Sequence, residues 1–222
     1  MQFLKENRNL FAIAIILPLF FFYLDKVFIV WMRDLEGSRA AIYWLLESVD
    51  SLINYISYGG TLIIIACILY VVGKVSNNKR LYEAGKNLCL GFVVAGIITQ
   101  ILKHLIGRAR PSVTDELLFI GPTLKSKYLS FPSGHTAVAF CFACILSAHF
   151  PRYRSIFYII ALIAGFERAE DFYHFPSDVL AGALIGLIAG KIVMKIFQKK
   201  QFTANSESVP FPHAATAANS DE

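Results

Sequence analysis

The stretch RAEDFYHFPSDVLAGALIGLIAG, residues 168–190, joins two kinds of sequence end to end. Arg168 to Asp178 is polar and holds a cation, a histidine and several carboxylates. From Asp178 an apolar run continues to Phe197, long enough to cross a bilayer, for which a helix needs roughly 20 residues. Within that run Gly182, Gly186 and Gly190 recur every fourth residue and present a smooth face for close helix contact. Packing within the chain is the plain use of such a face, and a homodimer formed through it is an alternative that the sequence leaves open.

Working outward, the rest of the chain repeats the apolar half of this pattern. Of 222 residues 56% are hydrophobic, and the charges are confined to short stretches, which is too apolar for a soluble domain. Spans are expected near Leu10 to Phe28, Ile53 to Val75, Asn87 to Ile106, His135 to Phe150, Ser155 to Glu170 and Asp178 to Phe197. The fourth and fifth are short and separated only by Pro151-Arg152-Tyr153-Arg154, which reads as a tight helical hairpin, because a proline and two arginines do not lie in lipid. The fold expected is all-α: an integral membrane protein with six transmembrane helices in residues 1–200. Residues 201–222, polar and small, are expected to form a disordered cytoplasmic tail.

Basic residues set the orientation. Lys5, Arg8, Lys79, Arg80, Lys86, Arg152, Arg154, Lys191, Lys195, Lys199 and Lys200 fall on one side of the spans, so both termini are expected in the cytoplasm. The net charge of +5 is dispersed along membrane boundaries and calls for no nucleic-acid partner. Lys5 and Arg8 ahead of an apolar run resemble a signal peptide, but no small-residue cleavage site follows, and Asp25-Lys26 with Trp31 reads as the outer interface of a retained helix. Arg33 to Asp50 suits an amphipathic segment lying along that interface. Cys67, Cys89, Cys141 and Cys144 fall inside spans and read as apolar packing. His104, His149 and His213 have no evident partner.

On this topology four polar clusters meet at the outer face. Lys103 and Arg110 are seven residues apart, two helical turns, and face one way if the helix runs on to Pro111. Together they make an anion clamp, although each alone could simply snorkel to headgroups. In Pro132-Ser133-Gly134-His135 the serine can cap a helix and the glycine lets backbone approach a ligand, while unpaired N–H groups at the helix start favour an anion. Capping explains Ser133 and Gly134 but not His135. Arg168 closes the fifth span. His174 and Asp178 are one turn apart, and a carboxylate there can hold one imidazole nitrogen as N–H and leave the other free to attack.

The joint order of Lys103, Arg110-Pro111, Pro132-Ser133-Gly134-His135, Arg168, His174 and Asp178 resembles the type 2 phosphatidic acid phosphatase superfamily, over roughly Leu88 to Gly190. The resemblance implies a metal-independent, six-helix phosphatase of that superfamily's bundle type. By that resemblance His174 is the nucleophile that forms a phosphohistidine, Asp178 orients it, and His135 protonates the leaving oxygen and later activates water. Lys103, Arg110, Ser133, Gly134 and Arg168 bind the phosphate oxygens. The substrate implied is a phosphorylated membrane lipid: lipid A, undecaprenyl pyrophosphate, phosphatidylglycerophosphate or phosphatidic acid, with a lean to the first two. The location implied is a bacterial inner membrane with the site facing outward.

One position departs from the pattern. Where the superfamily usually has serine before the last arginine, this chain has Glu167. Either Glu167 pairs with a cation and fixes the clamp, or it meets a cationic or hydroxyl-rich headgroup and sets specificity. A phosphotransferase using the same phosphohistidine, and a non-catalytic lipid-binding or transport protein, are the competing readings. No metal or other cofactor is expected, because basic residues occupy the place a cation would take.

Overall fold

The computed structural model describes residues 8–37 and 59–207. Among them the chain is helical: α1 (Arg8–Gly37), α2 (Gly59–Val75), α3 (Lys79–Ile106), α4 (Gly134–His149), α5 (Arg154–Glu170) and α6 (Pro176–Glu207), with 3-10 turns at Ser126–Tyr128 and Pro151–Tyr153. The described residues form no β-strand, and an isolated bridge joins Arg108 to Phe119.

Local chemistry sets the helix ends. α3 starts earlier than its apolar run because the Asn78 side chain accepts the N–H groups of Arg80 and Leu81 at 3.1 and 3.2 Å. It stops at Ile106 because Gly107 adopts φ 62°, ψ 51° and donates its N–H to the Lys103 carbonyl. A Cβ at Gly107 would lie 1.9 Å from the Gly121 carbonyl oxygen, so only glycine fits. The expected helix through to Pro111 is therefore corrected: Arg110 lies in the loop after α3, off the helix that carries Lys103. α6 continues to Glu207, into the stretch expected to be a polar tail, where glutamine, alanine and glutamate favour helix. Residues 38–58, with most of the expected interfacial segment, and residues 208–222 lie outside the described residues.

α4 is the central helix and touches α2, α3, α5 and α6, while α1 packs on α6. The small side chains of α4, Ala137, Ala139, Cys141 and Ala143, are buried and let its neighbours approach. The glycine face of α6 is taken up by this contact. A Cβ on Gly182 would meet the Ser133 carbonyl oxygen at 2.3 Å, and one on Gly186 the Ala137 oxygen at 2.2 Å. Outside this core, Val93, Ile97, Ile101 and Leu105 form a row along α3, each more than half exposed. Among the described residues, Lys79–Ile106 and Pro176–Lys199 are long and apolar enough to cross a bilayer, and Gly59–Val75 and Gly134–His149 are shorter apolar helices.

Candidate active site

The site is organised by the start of α6. Asp178 is fully buried, and both its oxygens are engaged. Oδ1 accepts Arg108 Nη1 at 2.5 Å, while Oδ2 accepts the Ser130 hydroxyl at 2.6 Å and the Phe175 N–H at 2.8 Å. His174 precedes it by one turn and is anchored to the end of α5 by its N–H, which donates to the Arg168 carbonyl at 3.0 Å. The Nδ1 atom of His174 stands 3.8 Å from Asp178 Oδ2, just beyond hydrogen-bond length, and has no other hydrogen-bond partner among the described residues. Burial pushes the His174 imidazole down to about 4, outweighing the pull of Asp178 in the other direction. The ring is therefore neutral at pH 7, and a proton on Nδ1 leaves the Nε2 lone pair free.

The second histidine arrives on α4. Ser133 caps that helix: its Oγ accepts the Thr136 hydroxyl at 2.8 Å and the Thr136 N–H at 3.5 Å. The Ser133 N–H donates to the Asp178 carbonyl at 2.9 Å, which ties the start of α4 to the start of α6. Gly134 and His135 then face a cavity of about 1050 Å³.

Lys103, Arg110, Arg168 and His174 line the same cavity. Although Arg110 is not on α3, the turn at Gly107 returns it to the side where Lys103 points. Lys103 is almost fully buried and donates to the Leu129 carbonyl at 2.6 Å. The guanidinium carbons of Arg110 and Arg168 lie 5.5 and 5.4 Å from the Tyr173 ring centre, so one aromatic ring steadies both. Asp171 also lines the cavity and pairs with Arg168 at 3.0 Å. Three cations, a buried neutral imidazole and a second imidazole around one cavity can hold a phosphate and exchange a proton with it.

Of the predicted site residues, Ser133, Asp178 and Glu167 are not on the cavity wall. The Ser133 hydroxyl is buried within its cap, so its contribution is to place Gly134 and His135. Glu167 is buried and bonds to the guanidinium of Arg168. That contact is the cation pairing expected of Glu167, whose side chain is not among those lining the cavity.

Four residues that sequence reasoning passed over also reach the site: Asp25, Arg108, Ser130 and Ser177. Asp25 is an ionisable group in an apolar helix, a feature that marks function by default, whereas its place beside Lys26 and ahead of Trp31 reads as an interface. Two histidines expected to lack partners have them. His104 Nδ1 lies 2.9 Å from the Thr123 carbonyl, and His149 Nε2 lies 3.1 Å from Asn87 Nδ2. His213 lies outside the described residues.

The sequence pattern of the PAP2 superfamily matches residues 84–202. The lipid A 1-phosphatase of Rhizobium johnstonii is 36% identical over 116 residues, which cover 50% of this chain and 48% of that protein. The chain thus spans about half the length of that relative. Among solved structures, Aquifex aeolicus LpxE superimposes with a TM-score of 0.56 at 29% identity, covering 74% of this chain and 92% of that one. The PAP2-type phosphatidylglycerolphosphate phosphatase of Bacillus subtilis shares the fold, with a TM-score of 0.50 at 24% identity over 82% of this chain and 96% of that one.

Proposed function

This chain belongs to the PAP2 superfamily, and from that premise we propose that it is a metal-independent membrane phosphatase acting on a phosphorylated lipid through a phosphohistidine. The observation that carries the reading is the convergence of Lys103, Arg110, Arg168, His135 and the buried, neutral His174 on one cavity.

In this mechanism the three cations bind the phosphate oxygens and hold phosphorus in line with His174 Nε2. The nitrogen attacks, an N–P bond forms, and the bond from phosphorus to the lipid oxygen breaks. His135, which takes up a proton when the phosphate anion enters among the cations, gives that proton to the oxygen. The imidazole of His174 keeps its Nδ1 proton and becomes cationic, and the Asp178 carboxylate balances it. A water then loses a proton to His135 and attacks phosphorus, which frees His174 and inorganic phosphate. Preorganised cations of this kind typically contribute about 10²–10³-fold each.

The membrane setting is part of the proposal: six spans, both termini in the cytoplasm, and the site at the outer face of a bacterial inner membrane. Lipid A is the first candidate substrate, supported by the name of the Rhizobium relative, followed by undecaprenyl pyrophosphate, phosphatidylglycerophosphate and phosphatidic acid. The test is phosphate release from these four lipids in detergent by wild type and His174→Ala. Release by wild type alone is expected, and equal release by both sinks the mechanism. A phosphorylated acceptor in place of free phosphate would identify a transferase.

A further inference from the structure

Asp25 sits on α1 and Arg108 in the loop after α3, yet both are brought into the interior beside Asp178. Exposure is 2% for Asp25, 1% for Arg108 and 0% for Asp178. The guanidinium joins the two carboxylates. Nη1 donates to Asp178 Oδ1 at 2.5 Å and to Ser177 Oγ at 2.7 Å, and Nη2 donates to Asp25 Oδ2 at 2.7 Å. Asp25 is itself fixed from α6: Oδ1 accepts the Ser177 N–H at 2.9 Å, and Oδ2 accepts the Ser177 hydroxyl. The rings of Phe175, Phe22 and Phe119 stand 4.1, 5.0 and 5.6 Å from the guanidinium carbon and exclude water from it.

Charges buried this deeply persist only when they compensate one another. The way they do so here matters for His174. Asp178 with Arg108 alone would be a neutral pair, and its attraction for an imidazole becoming cationic would be largely cancelled. Asp25 gives the guanidinium a second counterion, so the three groups together carry one net negative charge. Arg108 also occupies Oδ1, which fixes the carboxylate plane and turns Oδ2 toward His174.

We propose that Asp25, acting through Arg108, is a positioning residue for the nucleophile: it holds Asp178 in one orientation and leaves it a full negative charge to balance His174 when Nε2 bonds phosphorus. This rests on the phosphohistidine reading above. The first helix is then part of the chemistry and more than a membrane anchor.

Asp25→Asn removes the charge at constant shape. Phosphate release from lipid A and phosphatidic acid in detergent should show kcat down about 10–100-fold with KM changed less than about threefold, the signature of an interaction that counts in the transition state. In an Asp178→Asn background the same change should cost less than about twofold more, because coupled residues are not additive. A kcat within twofold of wild type, a loss confined to KM, or an equal further loss in the Asp178→Asn background overturns the proposal. If Asp25→Asn does not yield folded protein, Arg108→Lys keeps the positive charge but cannot fork between two carboxylates, and must give the same pattern or the proposal fails. If wild type releases no phosphate, or His174→Ala matches it, the phosphohistidine reading falls and this inference with it. If that control behaves and Asp25→Asn equals wild type, this inference falls alone.

Discussion

His174 Nδ1 and Asp178 Oδ2 face each other at 3.8 Å across one helical turn, the imidazole neutral and the carboxylate already held by Arg108, Ser130 and the Phe175 amide. A histidine protonated at rest could not attack, and burial prevents that here. NMR of ring-labelled histidine, assigned with His174→Gln, should show the His174 ring neutral from pH 8 to 5, moving only near pH 4. A midpoint near the ordinary 6.5 would count against it. Between 6.5 and about 4 the unfolded chain binds this proton more readily than the folded one, so His174 lowers stability as pH falls through that window and adds no pH dependence above it.

Lys103 brings an amine to the cavity with its other side fixed by the Leu129 carbonyl. Lys103→Met keeps most of the packing and removes the charge. The expected loss is about 10²–10³-fold in kcat with the melting temperature nearly unchanged. A change in KM alone would mean that the amine binds substrate and transition state equally.

Glu167 is buried against Arg168, which retains Asp171 as a second partner. Glu167→Ser should lower stability by roughly 1–3 kcal/mol, the cost of leaving a buried polar group without one partner. The ranking of the four candidate lipids should stay the same. A reordered ranking would return Glu167 to headgroup recognition.

Gly186 lies where α6 and α4 touch backbone to backbone, and a Cβ there would reach to 2.2 Å from the Ala137 oxygen. Gly186→Ala should cost about 1–3 kcal/mol or more, measured by thermal denaturation in detergent. Gly96→Ala is the control, since nothing lies within 4 Å of a Cβ at that position. If both variants melt together, the helix contact is not what the glycine serves.

Lys103, Arg110 and Arg168 bring three cationic side chains to one cavity, and in the proposed mechanism they supply the charge that a metal would otherwise bring to the phosphate. Activity should therefore survive exhaustive chelation within about twofold, since positioned side-chain cations do the work of charge stabilisation. Loss on chelation, restored by magnesium, would overturn this.

The fold was largely legible because an apolar run needs only local sequence to be seen, and α4, α5 and α6 begin within two residues of the expected starts. The residues now lining the cavity were legible as types in order. Their arrangement was less so. Gly107 with Lys103 and His104 in the preceding turn was a readable helix stop, but two cations at helical spacing suggested continuation. The Asp25 contact with Arg108 spans 83 positions, and no local pattern encodes such a pairing. Glu167 looked anomalous in the motif because the sequence does not say which way a carboxylate turns.

The matched stretch starts at residue 84, and every recognisable motif lies within it. Asp25 nonetheless clasps Ser177 from outside that stretch. The stretch delimited by the family pattern and the unit that works as a catalyst would then have different boundaries. A shortened chain keeping all the motifs but lacking α1 would carry the whole family pattern, and would be left with a buried guanidinium short of a counterion beside Asp178.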